Sequence, residues 1–257
     1  MKIIVFILLF IKVALITEGQ DKWFPVSEKN YTIHYTEKDT LNMQAYEYLI
    51  NNGEHAVFNF FSDTFHQHFD VFVYYTRAQL DTQWQKEWQM PNFKSECWMV
   101  ASGVARKLDM ISPMQWSKEA CEHKYSDTLN TQRLITHELV HVYHGQLNKS
   151  PDFSDVQGID WFVEGLATYV SGQLDSERLA QVKAAVISNE YPKTLDDFWT
   201  GKLKYGLSGS VVMFIDKNYG REKLKQLLPF NKKQEIVDAL GITEQQLLAD
   251  WKSFVLK

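Results

Sequence analysis

His137-Glu138-Leu139-Val140-His141 is the segment that leaves this chain the least freedom. Two residues four apart on an α-helix lie about 40° apart around its axis, so both imidazoles leave the same face. Ile135, Leu139 and Val142 fill the remaining faces, and Gly145 follows as a C-cap. The pattern predicts a buried helix over 128–144 that carries two nitrogens where one Zn²⁺ can take both at about 2.0–2.1 Å. Glu138 is one residue from the first nitrogen, so it flanks the ion without binding it. A carboxylate there can take a proton from water activated by the metal. A pair of surface histidines is the competing reading, and the apolar flanks leave it almost no solvated face.

The third ligand is sought downstream. A Gly three residues after His141 and a His three beyond that would mark a metzincin. Those positions hold His144 and Leu147, which excludes that class and leaves His144 an orienting or packing role. Trp161-Phe-Val-Glu164-Gly-Leu-Ala167 begins a second helix, with Asp160 as its expected N-cap. Glu164 stands among apolar residues, where a carboxylate is costly unless paired or metal-bound. Gly165 lets two helices approach closely. Two His and one Glu with a fourth position open is the catalytic type of zinc site. A first-turn carboxylate favoured by the helix dipole is the alternative for Glu164.

These residues resemble the gluzincin metallopeptidases, in particular the peptidase-MA-like families. The resemblance rests on His-Glu-x-x-His followed by Glu-Gly-x-Ala on the next helix. It extends to Tyr205-Gly-Leu-Ser-Gly-Ser-Val-Val-Met-Phe-Ile and Tyr219-Gly-Arg-Glu-Lys-Leu, which resemble that group's C-terminal helices. It covers about residues 97–257, and is strong at 137–167. It implies His137, His141 and Glu164 as ligands of one zinc per chain, Glu138 as general base, and peptides or proteins as substrates. The implied fold is α+β and zincin-like: an N-terminal mixed β-sheet with the active-site helix, then an all-helical C-terminal lobe closing the cleft. By the same resemblance Tyr205, opening a helix after a Gly-containing loop, is the candidate to stabilise the oxyanion; a tyrosine that merely packs is the alternative.

Two departures bear on what carries over. Several gluzincins place an acid four residues after the glutamate ligand, where it orients a ligating His; this chain has Thr168 there. Nothing resembles the Gly-x-Met-Glu-Asn segment with which the family's aminopeptidases grip a free N-terminus, so endopeptidase action is favoured.

The rest of the chain reads as an α/β half, about 20–125, and a helical half, about 126–257, within one catalytic domain. Strands are expected at 31–35 and 71–75, helices at 41–61 and 79–88, and a hairpin from 97–102 and 106–111. Such a hairpin offers an edge strand for an extended peptide. Further helices are expected at 161–171, 176–187, 206–218, 222–228, 234–240 and 243–255. Trp84, Trp88, Trp98 and Trp116 read as core and cleft wall. His66 and His68 read as a surface pair, and Lys202–Lys204 and Lys223–Lys225 as solvated faces.

Residues 1–19, basic at Lys2 and then apolar, fit a secretory signal peptide better than a membrane span, which needs about 20 apolar residues. An uncleaved anchor is the alternative. Removal of this segment shifts the formal charge from −5 to −6, which argues against nucleic acid and anionic lipid as partners. Oligomeric state is not readable from the sequence. Export makes a disulfide the simplest fate of Cys97 and Cys121, the two cysteines of the chain. Asn30 and Asn148 head N-glycosylation tripeptides that matter only in a glycosylating host, and Pro151 makes the second a poor acceptor. The reading is thus a secreted zinc metallopeptidase. Its rivals are a non-catalytic zinc-binding interaction module and a zinc hydrolase of non-peptide amides.

Overall fold

A computed structural model describes residues 22–257; the expected signal peptide at 1–19 lies outside them. Five strands form one mixed sheet: β1 (Trp23–Ser27), β2 (Tyr31–Thr36), β3 (Phe69–Tyr74), β4 (Ala101–Val104) and β5 (Lys107–Ile111), in the order β1-β2-β3-β5-β4. The central pairs β2–β3 and β3–β5 are parallel, and both edge strands are antiparallel to their neighbours. Alternation explains β2, where Tyr31 and Ile33 turn inward and Thr32 and His34 outward. In β3, Phe69, Val71 and Val73 are all buried.

Helices connect and follow these strands. α1 (Met43–Phe61) joins β2 to β3 and buries Met43, Tyr46, Leu49, Ile50, Gly53, Val57 and Phe61, one stripe at 3.6-residue spacing. α2 (Arg77–Glu87) starts on a capping box in which Thr76 and Gln79 exchange hydrogen bonds. A single turn, α3 (Trp116–Glu119), precedes α4 (Thr128–Leu147). After α4 come α5 (Asp160–Val170), α6 (Ser176–Ser188), α7 (Lys204–Tyr219), α8 (Arg221–Leu227), α9 (Lys233–Leu240) and α10 (Glu244–Leu256). The described strands therefore end at Ile111, and everything from Thr128 onward is helix and loop. One cluster of buried apolar side chains runs through both parts. Among the described residues no helix is long and apolar enough to cross a membrane.

Several local expectations are corrected. α4 does not end at Gly145; it continues to Leu147, with Asn148 as C-cap. Gly145 keeps negative φ, so it cannot form a left-handed cap, and the backbone of Ala105 and Pro151 packs against it. Asp160 is the first residue of α5 and not its cap; Ile159 holds that place without a side-chain hydrogen bond. The hairpin is shorter than expected. Cys97–Val100 are not strand, Gly103 lies inside β4, and the turn falls at Ala105–Arg106. β1, with exposed and half-buried residues alternating around Pro25, was not expected at all.

Cys97 and Cys121 form the disulfide, with Cα atoms 5.4 Å apart. Trp84 and Trp116 are buried, while Trp88 and Trp98 are exposed at the cleft, as core and cleft wall require. His66 pairs with Asp63 and His68 with Thr32, so the two do not share a ligand. Lys204 departs from expectation: it is half-buried over aromatic rings rather than solvated.

Candidate metal centre

α4 packs against α1, β4 and α5, and twelve of its residues are buried, from Thr131 to Gly145. The i, i+4 spacing brings His137 and His141, each 6 % exposed, side by side on the face towards α5. Their Nε2 atoms are 3.0 Å apart. Glu164, from the second turn of α5, places Oε2 3.4 Å from His137 Nε2 and 3.6 Å from His141 Nε2. Two donors bound at 2.0–2.1 Å around a tetrahedral ion lie about 3.4 Å apart. The triangle therefore fits one zinc-sized ion. Among the described residues this is the set of His, Cys, Asp and Glu side chains that converges for metal binding.

Electrostatics agree with that use. Burial alone would raise the Glu164 carboxyl, but the charge on His141 and hydrogen bonds from both imidazoles hold it well below the usual carboxylate range. Burial lowers His141, and Glu164 more than reverses this, so its imidazole is raised. Both Nδ1 atoms are buried without a hydrogen-bond partner. His144 stands apart from the donor triangle. Burial drives its pKa down to about 3, with help from His141, and its Nε2 is 3.1 Å from the Leu228 carbonyl oxygen. It is a neutral packing residue.

The centre lies in a cleft of about 460 Å³ lined from both parts of the chain. Glu138, half-buried, reaches the cleft beside His137. β4, a sheet edge, runs along it so closely that a Cβ on Gly103 would sit 2.3 Å from the Glu138 carbonyl oxygen. Tyr205, on the first turn of α7, faces His137 with ring centroids 6.3 Å apart. Burial, then the charges of Glu164 and Glu138, raise its phenol far above its ordinary value, so it stays a proton donor. All five residues singled out in the sequence thus line one cleft.

Thr168 does not act in place of the missing acid. Its hydroxyl is fully buried and bonded to nothing, with its methyl against Gly209 of α7. Other cleft residues gave no warning in the sequence. His123 follows the disulfide loop, packs on Trp116 and lies 3.0 Å from the Trp98 carbonyl oxygen; burial lowers its pKa. Arg178 on α6 and Lys204 on α7 line the opposite wall. No periodicity links these positions to α4, and only the fold brings them together.

No known family profile matches the chain, and no curated protein matches it. Among solved structures it is similar to the M1 zinc metallopeptidase from Deinococcus radiodurans, at 14 % identity and a TM-score of 0.47. The similarity covers 90 % of this chain and 51 % of that one, so this chain spans about half the length of that protein. A likeness this distant carries no function across.

Proposed function

We propose that this protein is a secreted, single-domain zinc metallopeptidase of zincin-like fold, acting as an endopeptidase. The observation that carries the reading is the convergence of His137, His141 and Glu164 donor atoms within 4.8 Å of one another on the cleft wall, with Glu138 adjacent. His137, His141 and Glu164 would hold a zinc ion, which would supply Lewis-acid polarisation of a carbonyl and acidify the attacking water. Glu138 then takes the proton of the attacking water and passes it to the leaving amine, a role that contributes about 10²–10⁴-fold. Tyr205, kept protonated, donates to the carbonyl oxygen as negative charge grows there. β4, as an edge strand, pairs its free backbone groups with an extended peptide and holds the scissile bond against α4. The lack of a segment resembling the aminopeptidase N-terminus grip favours cleavage of an internal bond.

Zinc per chain, measured by elemental mass spectrometry together with peptide turnover, tests this directly. About one zinc is expected in wild type and in Glu138→Ala, and a loss of zinc in Glu164→Ala. Turnover should fall about 10³-fold in Glu138→Ala. Zinc retained by Glu164→Ala as tightly as by wild type refutes the ligand set. Unchanged turnover in zinc-loaded Glu138→Ala refutes the mechanism.

A further inference from the structure

The helical wall of the cleft carries two cations that form no ion pair with a carboxylate of this chain among the described residues. Arg178 is half-buried and lines the cleft. One of its N–H groups donates to the Gln173 carbonyl oxygen at 2.6 Å, and its guanidinium lies 5.8 Å from the Tyr205 ring. Lys204 stands by the same ring at 5.3 Å, held also over Trp199 at 4.5 Å and Trp98 at 5.1 Å. Tyr205, beside His137, is therefore accompanied by both charges.

Glu122 and Glu138 line the same cleft and act on Tyr205 through their charge, but neither pairs with Arg178 or Lys204. The other nearby acids have partners of their own. Asp175 accepts from the backbone N–H of Arg178 as the cap of α6, and faces Arg133 at 3.6 Å. Glu177 accepts from Gln181. Glu164 faces the imidazoles. A guanidinium has five N–H groups in a planar fork suited to a carboxylate, and Arg178 spends one of them on this chain. Holding that charge half out of water without a counter-ion is unfavourable, and a bound anion would reverse the cost. The second cavity beyond Arg178 and Tyr205, about 280 Å³, is lined by Asp175 and Glu177 and is unsuited to an anion. The group is therefore met on the main-cleft side, where Arg178 and Lys204 both line the wall.

We propose that Arg178, reinforced by Lys204, forms a carboxylate subsite, so that the preferred substrate presents a carboxylate close to the scissile bond. The inference rests on the metallopeptidase reading and names its substrate class. One aromatic ring separates Arg178 from the ligand His137. An extended peptide advances about 3.3 Å per residue, so a group within about three residues of the cleaved bond reaches the subsite. The carboxylate is either an Asp or Glu side chain, in keeping with endopeptidase action, or a free chain end, which would make the cleavage a trimming of C-termini instead. Both present the same chemistry to the fork.

Four zinc-chelating hydroxamates on one peptide backbone separate these cases. One is neutral, with Gln on both sides of the chelator and a C-terminal amide. Two replace a Gln by Glu, before or after the chelator, and the fourth has a free C-terminal carboxylate. Affinities are measured by titration calorimetry on the zinc-loaded protein. At least one anionic probe should bind about tenfold tighter than the neutral one, and which one it is identifies the source. Arg178→Gln should abolish that gap while binding the neutral probe within about twofold of wild type. Arg178→Lys, which keeps the charge, should retain part of the gap. The cap of α6 uses the backbone of Arg178, so neither substitution removes it. Equal binding of all four probes by wild type, or a gap that survives in Arg178→Gln, overturns the subsite and leaves the metal centre standing. Failure of zinc-loaded wild type to bind any probe overturns both.

Discussion

Thr168 has a buried hydroxyl with no partner, at the place where an acid would steady a ligating imidazole. Removing an unpaired buried hydroxyl while keeping its shape costs little, because no hydrogen bond is lost. Thr168→Val should therefore leave stability within about 0.5 kcal/mol and zinc affinity within about twofold, read by urea unfolding and a chelator competition. A tenfold loss of zinc would show that the hydroxyl serves the ligands. Asp109 behaves differently. It is 1 % exposed, and burial raises its pKa to about 6 although Lys107 and Trp84 both bind its carboxylate. An unfolded aspartate ionises near pH 3.9. As pH rises from there to about 6, the unfolded state sheds a proton that the folded state keeps, so folding loses up to about 3 kcal/mol and loses no more above that pH. Urea unfolding of wild type and Asp109→Asn at pH 4 and pH 7.5 checks the sign: wild type should weaken relative to the variant at the higher pH. His137, Glu138 and His141 were legible because their roles follow from spacing along one helix. Arg178, His123 and the pairing of Asp109 were not, since each depends on neighbours distant in sequence. At Asn148 sequence and structure agree: Pro151 makes its tripeptide a poor glycan acceptor, and its side-chain nitrogen is buried and donates to the carbonyls of Leu228 and Phe230, each at 2.8 Å. Glycopeptide mapping after expression in a glycosylating host should find Asn148 bare.

Whole elements were read well where one side of a helix or strand is apolar, as in α1, β2 and β3, and poorly where a backbone contact decides. Gly145 reads as a stop signal because glycine commonly ends helices, but it serves a close backbone approach in the last turn of α4. β1 escaped notice because an edge strand with a proline and exposed faces has little hydrophobic pattern to display. At Gly165 the sequence reading and the structure agree. A Cβ on it would lie 2.5 Å from the Ser208 carbonyl oxygen, so α5 and α7 touch backbone to backbone there. Gly165→Ala must push the two helices apart, at a cost of about 1–3 kcal/mol. Because Glu164 is the adjacent residue, the same shift draws its carboxylate away from the imidazoles. Lower stability together with at least about tenfold weaker zinc is expected, from the same two measurements. Lower stability with zinc affinity intact would mean that α5 moves as a rigid rod and carries its ligand with it.

At the scale of the whole molecule the donor triangle joins two bodies of structure. α4 supplies two of the proposed ligands and packs against α1 and β4, hence against the sheet. α5 supplies the third and packs against α7, hence against the helical C-terminal part. An ion bound across them favours only chains in which both are folded and docked, so its binding energy becomes folding energy. Free zinc at 100 times its dissociation constant should add about 2.7 kcal/mol. For a chain of this size that corresponds to a rise in melting temperature of roughly 5–10 °C. The ligands must shed protons to bind, and the raised His141 makes that release larger at lower pH, so the shift should shrink as pH falls from 7.5 to 5.5. Thermal scans with zinc and with chelator, at both pH values, read this. Glu138→Ala should show the wild-type shift, since Glu138 flanks the centre without binding it. Glu164→Ala, which removes the α5 ligand, should show little. A zinc-dependent rise of equal size in Glu164→Ala would mean that the ion binds without α5, and that the metal does not link the sheet to the helical part.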